Sequence, residues 1–266
     1  MTTIQQPVVA GTFYPADAQV LQQMLTDFLY DAQPYASLNL PKAIIAPHAG
    51  YIYSGPIAAS AYACLHGSKG KKIKNVVILA PAHRYPVAGI VTTDKDFYAT
   101  PLGNVKIAKK LVAVATTLPF VIEQDEVFNT EHSLEVQLPF LQMVLEDFSI
   151  VPFLVGDVTP AQVATLLELL WGDDETLIVI SSDLSHYHSY ERAQKMDAQA
   201  AKAVVELNQA ALREDMACGN LGLRGLLTIA AAKKMRAVQI DLRNSGDTAG
   251  PKDQVVGYGA FHIRKF

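Results

Sequence analysis

Four short runs of uninterrupted apolar residues, rich in β-branched side chains, set the strongest limit on how this chain can fold. They are Ala43-Ile44-Ile45-Ala46, Val76-Val77-Ile78-Leu79, Ile150-Val151-Pro152-Phe153-Leu154-Val155 and Leu177-Ile178-Val179-Ile180. A strand with one wet face alternates apolar and polar residues; a strand apolar at every position is covered on both faces, as in a largely parallel sheet between helices. Two further runs lie near the end, Val238-Gln239-Ile240 and Val255-Val256 continuing to Ile263. Between them the apolar residues follow a helical period over 17–29, 56–65, 105–115, 132–145, 161–170 and 193–207. Pro56, with Ser54 as a cap, and Pro160 after Thr159 read as helix starts. Pro139 should kink or restart the helix over 132–145. The expected fold is α/β: a layered arrangement with a largely parallel or mixed central sheet flanked by helices, in one domain over 1–266.

Composition agrees with a packed core and narrows the function. Half of the 266 residues are hydrophobic, 18 % are charged, and the formal net charge is -4. Disorder needs the opposite balance, and no general basic footprint for nucleic acid is present. No apolar stretch reaches the ~18–20 residues that cross a bilayer. The first residues lack the basic and apolar segments of a secretion signal, so a cytoplasmic protein is expected. Cys64 and Cys218 are accordingly read as reduced thiols behaving as small hydrophobes. Gly-x-Ser-x-Gly, Walker A, His-Glu-x-x-His and Gly-x-Gly-x-x-Gly patterns are absent from the sequence.

The chemistry collects just after the apolar runs. Residues 43–46 lead into Pro47-His48-Ala49-Gly50-Tyr51, 76–79 into Ala80-Pro81-Ala82-His83, and 177–180 into Ser181-Ser182-Asp183-Leu184-Ser185-His186; 238–240 precede Asn244-Ser245-Gly246-Asp247. Ligands in open α/β sheets bind outside the carboxyl ends of parallel strands. If these strands are parallel, the five residues His48, His83, Asp183, His186 and Asp247 share one rim. His48, His83 and Asp247 then match a 2-His-1-carboxylate metal site, a set that suits Fe(II). His186 is left as a general acid or base, and Asp183 as the group that orients His186 or another ring. Asp183 and Asp247 also fit as an ordinary helix cap and an ordinary turn residue. Glu131-His132-Ser133-Leu134-Glu135 opens a predicted helix, where His132 and Glu135 project from one face and either meet the pocket or complement the helix dipole. Tyr14, Tyr51, Tyr53 and Tyr85 fall near the rim, as contacts or as packing. His66, His188 and His262 have no placement that favours a site.

An ordered set of segments carries a resemblance. Ala10-Gly11-Thr12-Phe13-Tyr14-Pro15 is followed by Ala46-Pro47-His48-Ala49-Gly50-Tyr51-Ile52-Tyr53-Ser54-Gly55, Pro81-Ala82-His83, Thr130-Glu131-His132-Ser133-Leu134-Glu135-Val136-Gln137-Leu138-Pro139 and Ser181-Ser182-Asp183-Leu184-Ser185-His186. Over nearly its whole length the chain resembles the Memo family, whose prokaryotic members are called AmmeMemoRadiSam system protein B. The resemblance implies a fold like that of class III extradiol dioxygenases, which are non-haem iron enzymes. It implies metal ligation by His48 and His83, with the third position at Asp247 where some members have Cys, and a further pocket histidine at His186. His132 and Asp183 join His186 as candidate catalytic residues; Tyr51, Tyr53 and Glu131 are candidate substrate contacts. The implied cofactor is a divalent metal, Fe(II) first and Zn(II) or Cu as alternatives. The implied partners are radical-SAM and AMMECR-type proteins, beside an unidentified small molecule or peptide. Three functions compete: a dioxygenase-like oxidoreductase, a metal-dependent hydrolase using Glu131, Asp183 or Glu135 around a second ion, and a non-catalytic scaffold whose pocket holds a partner.

Overall fold

The computed structural model of the chain describes residues 2–32 and 40–265. Its centre is four parallel strands in the order β8 (Ser149–Val155), β3 (Asn75–Pro81), β9 (Thr176–Ser181), β2 (Ala43–Ala46). All four apolar runs are in this group, and almost every residue in them is buried, as double coverage requires. Beyond β8 the sheet continues through β6 (Gly103–Ile107) and β5 (Phe97–Thr100) to β1 (Ile4–Gln5). Beyond β2 it continues antiparallel through β12 (Val255–Arg264). The sheet is therefore mixed, with its parallel part in the middle.

β12 is longer than its neighbour and projects past it. Its residues 261–263 pair with β2, while Val255 and Val256 pair with β10 (His186–His188), which stands above the carboxyl end of β2. On its other edge β12 pairs along most of its length with β11 (Arg236–Asn244). A small annex, β4 (Ile90–Thr92) with β7 (Val121–Glu123), joins β8 at the opposite side.

Helix ends follow local chemistry. In α1 (Ala18–Asp31) the Asp17 carboxylate accepts from the Gln19 and Val20 amides, and Leu21, Leu25 and Leu29 form the buried stripe. In α5 (Pro160–Leu169) Thr159 and Gln162 form a reciprocal capping box. α2 (Tyr51–Tyr62) departs from expectation: it begins at Tyr51 after Gly50, with Pro56 inside it, and Ser54 donates to the Ala49 carbonyl. Most of α2 is buried, so packing outweighs the donor that Pro56 lacks. Gly55 is needed there, since a Cβ would stand 2.5 Å from the Phe28 ring of α1.

The expected helix over 105–115 divides into β6 and α3 (Lys109–Ala115). Val105 and Ile107 are buried while Asn104 and Lys106 are exposed, a two-residue period that pairing with β5 and β8 selects. The one over 132–145 gives a 3-10 turn at Glu135–Gln137, and α4 (Leu138–Val144) restarts at Pro139. α6 (Tyr190–Val205) takes most of the expected 193–207 segment and ends two residues early, and α7 (Asn220–Ala232) is a further helix packed on α5.

Asp197 of α6 ties this scaffold to the rim by accepting the Ser185 amide at 3.0 Å. Burial pushes its carboxyl up to about 6. Between the unfolded value near 4 and that value the native state binds more protons than the unfolded chain. Stability should therefore fall by about 2–3 kcal/mol as pH rises through that window. Asp197→Asn, which keeps the acceptor oxygen, should flatten this part of the profile and raise the denaturation midpoint at pH 7; an unchanged profile would refute the assignment.

Candidate metal centre

Three imidazoles meet at the carboxyl ends of the central strands. His48 follows β2, His83 follows β3, and His132 lies in the turn before α4. One ring nitrogen from each lies within 4.8 Å of the others, the only such cluster found among the described residues. The rings of His83 and His132 stack at 5.1 Å with planes 14° apart, and His48 meets both edge-on at 5.2 and 5.7 Å.

The tautomer of His48 follows from its partner. The Ser181 hydroxyl has one proton and places it on the Ser133 carbonyl at 2.6 Å, while accepting from Gln137 Nε2 at 2.7 Å. His48 Nδ1, 2.8 Å from the same oxygen, must then be the donor, which leaves Nε2 with its lone pair. Burial, reinforced by neighbouring His83, pushes the His48 imidazole down to about 3. Burial and then His48 push His132 down to about 4. Both rings are neutral at pH 7, the state a metal ligand needs.

Glu131 does the same for His83. Its carboxylate, 2 % exposed, accepts the His83 amide at 2.5 Å, His83 Nδ1 at 3.1 Å, the Arg84 amide at 3.3 Å, and the His132 and Ser133 amides at 2.9 Å each. Burial opposes its ionisation, but the bonds from His83 and Ser133 outweigh it and hold the carboxyl well below the usual range. A carboxylate behind a histidine fixes which nitrogen faces forward.

The cluster forms one wall of a cavity of about 360 Å³. Asp183, His186, Phe13, Arg84 and Tyr187 also line it. Asp183 is 4 % exposed; its Oδ1 accepts the His48 amide at 2.7 Å, and burial pushes its carboxyl up. His186 reaches the cavity from β10. Sequence position thus brings together His48, His83, His132, Asp183 and His186.

Five expected residues take other roles. Asp247 does not join His48 and His83: β11 is one strand beyond β12, and the Asn-Ser-Gly-Asp turn folds the carboxylate back on its own backbone. Its Oδ2 accepts the Asn244 amide at 2.9 Å and its Oδ1 the Tyr190 hydroxyl at 2.5 Å. It lines a separate cavity with Ile52, Ser60 and Arg243. Tyr51 is buried, donates to the Val136 carbonyl at 2.6 Å and packs on Tyr14 and Phe140. Tyr53 packs against the core and does not line the cavity; Glu131 faces the backbone clamp just described. Glu135, expected beside His132, instead accepts the Val8 and Val9 amides and the Tyr14 hydroxyl, because the 3-10 turn points it at the N-terminal segment.

Cys218 was not anticipated. Its sulfur lies 3.3 Å from His48 Nε2 and accepts the Asp183 amide at 3.3 Å. Burial pushes the thiol up, so it stays protonated at neutral pH. The one signal available was Cys-Gly ahead of the apolar run that becomes α7. His262 is a core residue whose Nε2 donates to the Ala61 carbonyl at 2.9 Å.

Fold and site together define the class: a mixed α/β protein whose parallel strands and one neighbouring turn gather three imidazoles beside a cavity. The family described as Memo-like protein matches residues 5–262. A MEMO1 family protein of Aquifex aeolicus is 36 % identical over 269 residues, covering 96 % of this chain and 97 % of the relative. One from Saccharolobus solfataricus is 34 % identical over 278 residues, covering 95 % and 96 %. The chain belongs to the Memo family. Among solved structures, the crystal structure of an uncharacterized protein, JW3007 of Escherichia coli K12, superposes with a TM-score of 0.51 at 16 % identity, covering 85 % of this chain and all of that one. That likeness concerns the fold alone. Among the described residues no helix is long and apolar enough to cross a membrane.

Proposed function

We propose that this Memo-family chain is a metal-dependent enzyme acting on a small molecule, with His48, His83 and His132 holding one divalent ion. The observation that carries this reading is the convergence of three ring nitrogens within 4.8 Å, two of the rings having their other nitrogen already committed to Ser181 or Glu131. Neutral imidazoles fit Fe(II), Zn(II) and Cu(II) alike. When bound, such an ion supplies Lewis-acid activation of an oxygen on substrate or water and, if it is iron, redox chemistry of the dioxygenase kind.

The chain's own groups do the rest. Ser181 and Glu131 keep two rings in register. His186, on the cavity wall, is placed to take or give a proton, and Asp183 holds the His48 backbone while its carboxyl faces the same space. Phe13 packs 4.7 Å from the His132 ring and covers one side of it. A dioxygenase-like oxidoreductase with Fe(II) is the form we favour from the family resemblance, and a cytoplasmic setting with reduced Cys64 and Cys218 belongs to the same reading.

Elemental analysis after anaerobic purification tests it. Wild type should carry or take up about one Fe(II) or Zn(II) per chain, and His83→Ala should lose it. Oxygen uptake by the iron form, against hydrolysis by the zinc form, separates the two chemistries. A wild-type protein that takes up neither ion ends the proposal.

A further inference from the structure

Behind the imidazoles Ser133, Ser181 and Gln137 are fully buried, and Ser133 and Gln137 do not line the cavity beside the rings. Their hydrogen bonds run to all three segments that carry a histidine. Ser133, next to His132, donates its hydroxyl at 2.7 Å to the carbonyl of Pro81, which ends β3 just ahead of His83. Its own carbonyl accepts the Ser181 hydroxyl at 2.6 Å, and Ser181 in turn faces His48 Nδ1. Gln137, at the end of the turn that follows His132, donates to Ser181 Oγ at 2.7 Å. Its other amide proton goes to the carbonyl of Pro47, beside His48, at 2.9 Å.

The direction of every bond in this chain is settled by its ends. The Pro47 and Ser133 carbonyls can only accept, so the first requires the nitrogen of Gln137 and the second the proton of Ser181. Gln137 Oε1 is left to accept, and it takes the Tyr62 hydroxyl at 2.7 Å. Tyr62 is itself fixed in the core, its ring stacked on Phe140 at 5.2 Å with the planes 6° apart. Turning any member over leaves a buried carbonyl unpaired, at a cost of about 1–3 kcal/mol.

Satisfying buried polar groups would require no particular endpoints. Here the endpoints fall on the three segments whose spacing the sheet does not set: β9 separates β2 from β3, and the His132 turn belongs to no strand. We infer that Ser133 and Gln137 are positioning residues, which through Ser181 set the spacing of the three imidazoles and keep the proton of His48 on Nδ1. Metal–nitrogen bonds of about 2.0–2.1 Å leave little room for the segments to drift. The inference rests on the metal reading for its purpose, while its first readout needs no metal.

That readout is the tautomer of the His48 ring, taken from nitrogen-15 shifts of chelator-treated protein at a pH where the ring is neutral. Wild type should show one tautomer, protonated at Nδ1. In Ser133→Ala and in Gln137→Met the Ser181 hydroxyl loses a fixed neighbour and becomes free to donate to His48, so each should show a mixture. The second readout is Zn(II) affinity, which should fall about tenfold or more in each variant, as it does when a group behind a ligand is lost. The double variant should lose less than the product of the two, because both act through Ser181. Tyr62→Phe, which keeps the stacked ring, should move both readouts less and in the same direction. Ser60→Ala is the control: it removes another buried hydroxyl, bonded to Asp241 and the Pro56 carbonyl, and should leave both readouts at wild type. A wild type protonated at Nε2, a pure Nδ1 tautomer with unchanged affinity in both single variants, or an equal shift in Ser60→Ala overturns the inference. A wild type that takes up no Zn(II) ends the metal reading alone, and the tautomers still decide this one.

Discussion

Glu131→Ala should lower the stability of the folded chain by about 3–5 kcal/mol, read as a drop in the urea midpoint at unchanged slope. The estimate follows from what one buried carboxylate does: it satisfies the amides of His83, Arg84, His132 and Ser133 and the His83 ring. Leaving a buried donor unsatisfied costs about 1–3 kcal/mol, and loop relaxation with entry of water recovers part of the sum. Glu131→Gln keeps one accepting oxygen but turns an NH2 towards other donors, so it should fall between wild type and alanine. The pH dependence has a definite sign. Glu131 is held below its unfolded value, so its contribution is present above that value and is lost as pH falls. Asp197 acts in the opposite direction. A Glu131→Ala protein within about 1 kcal/mol of wild type would show that the loops hold themselves without the clamp.

The second large effect concerns which residue completes the metal set. His132→Ala should weaken Zn(II) or Fe(II) binding by more than about a hundredfold, since even loss of a group behind a ligand costs 10–100-fold. Asp247→Ala should leave metal affinity unchanged and show only the loss of a turn cap and of the Tyr190 bond. Isothermal titration of both variants decides the matter. If Asp247→Ala loses the ion while His132→Ala keeps it, the three-imidazole arrangement is not the working one.

The period of an apolar run reports which faces of a strand are buried. The runs at 43–46, 76–79, 150–155 and 177–180 were legible because double burial leaves no polar position in a strand, and their parallel pairing put His48, His83 and Asp183 at one rim. The pairing of β12 with β10 and β11 was not legible, because period fixes faces and says nothing of neighbours. That is why Asp247, also after an apolar run, looked equivalent to the others while standing beyond an extra strand. His132 was legible as a pocket residue through its segment but not as a third ring beside His48 and His83. The turn at Glu135–Gln137, which sets the direction of Glu135, depends on Pro139 and on the N-terminal segment whose Val8 and Val9 amides Glu135 accepts. Cys218 escaped notice because the helix after it was not foreseen.

The interior place of β12 has a consequence for how the protein is made. Until residues 255–264 have left the ribosome, β2 and β11 each present a bare row of backbone donors and acceptors, and β10 has nothing to pair with. Open strand edges next to such apolar sequence are templates for pairing with other chains. Synthesis therefore passes through a long interval in which the central strands keep an open edge at β2, closed only when residues 255–264 arrive. An interrupted chain would be sticky, so cells that stall on this message should hand the product to chaperones or proteases.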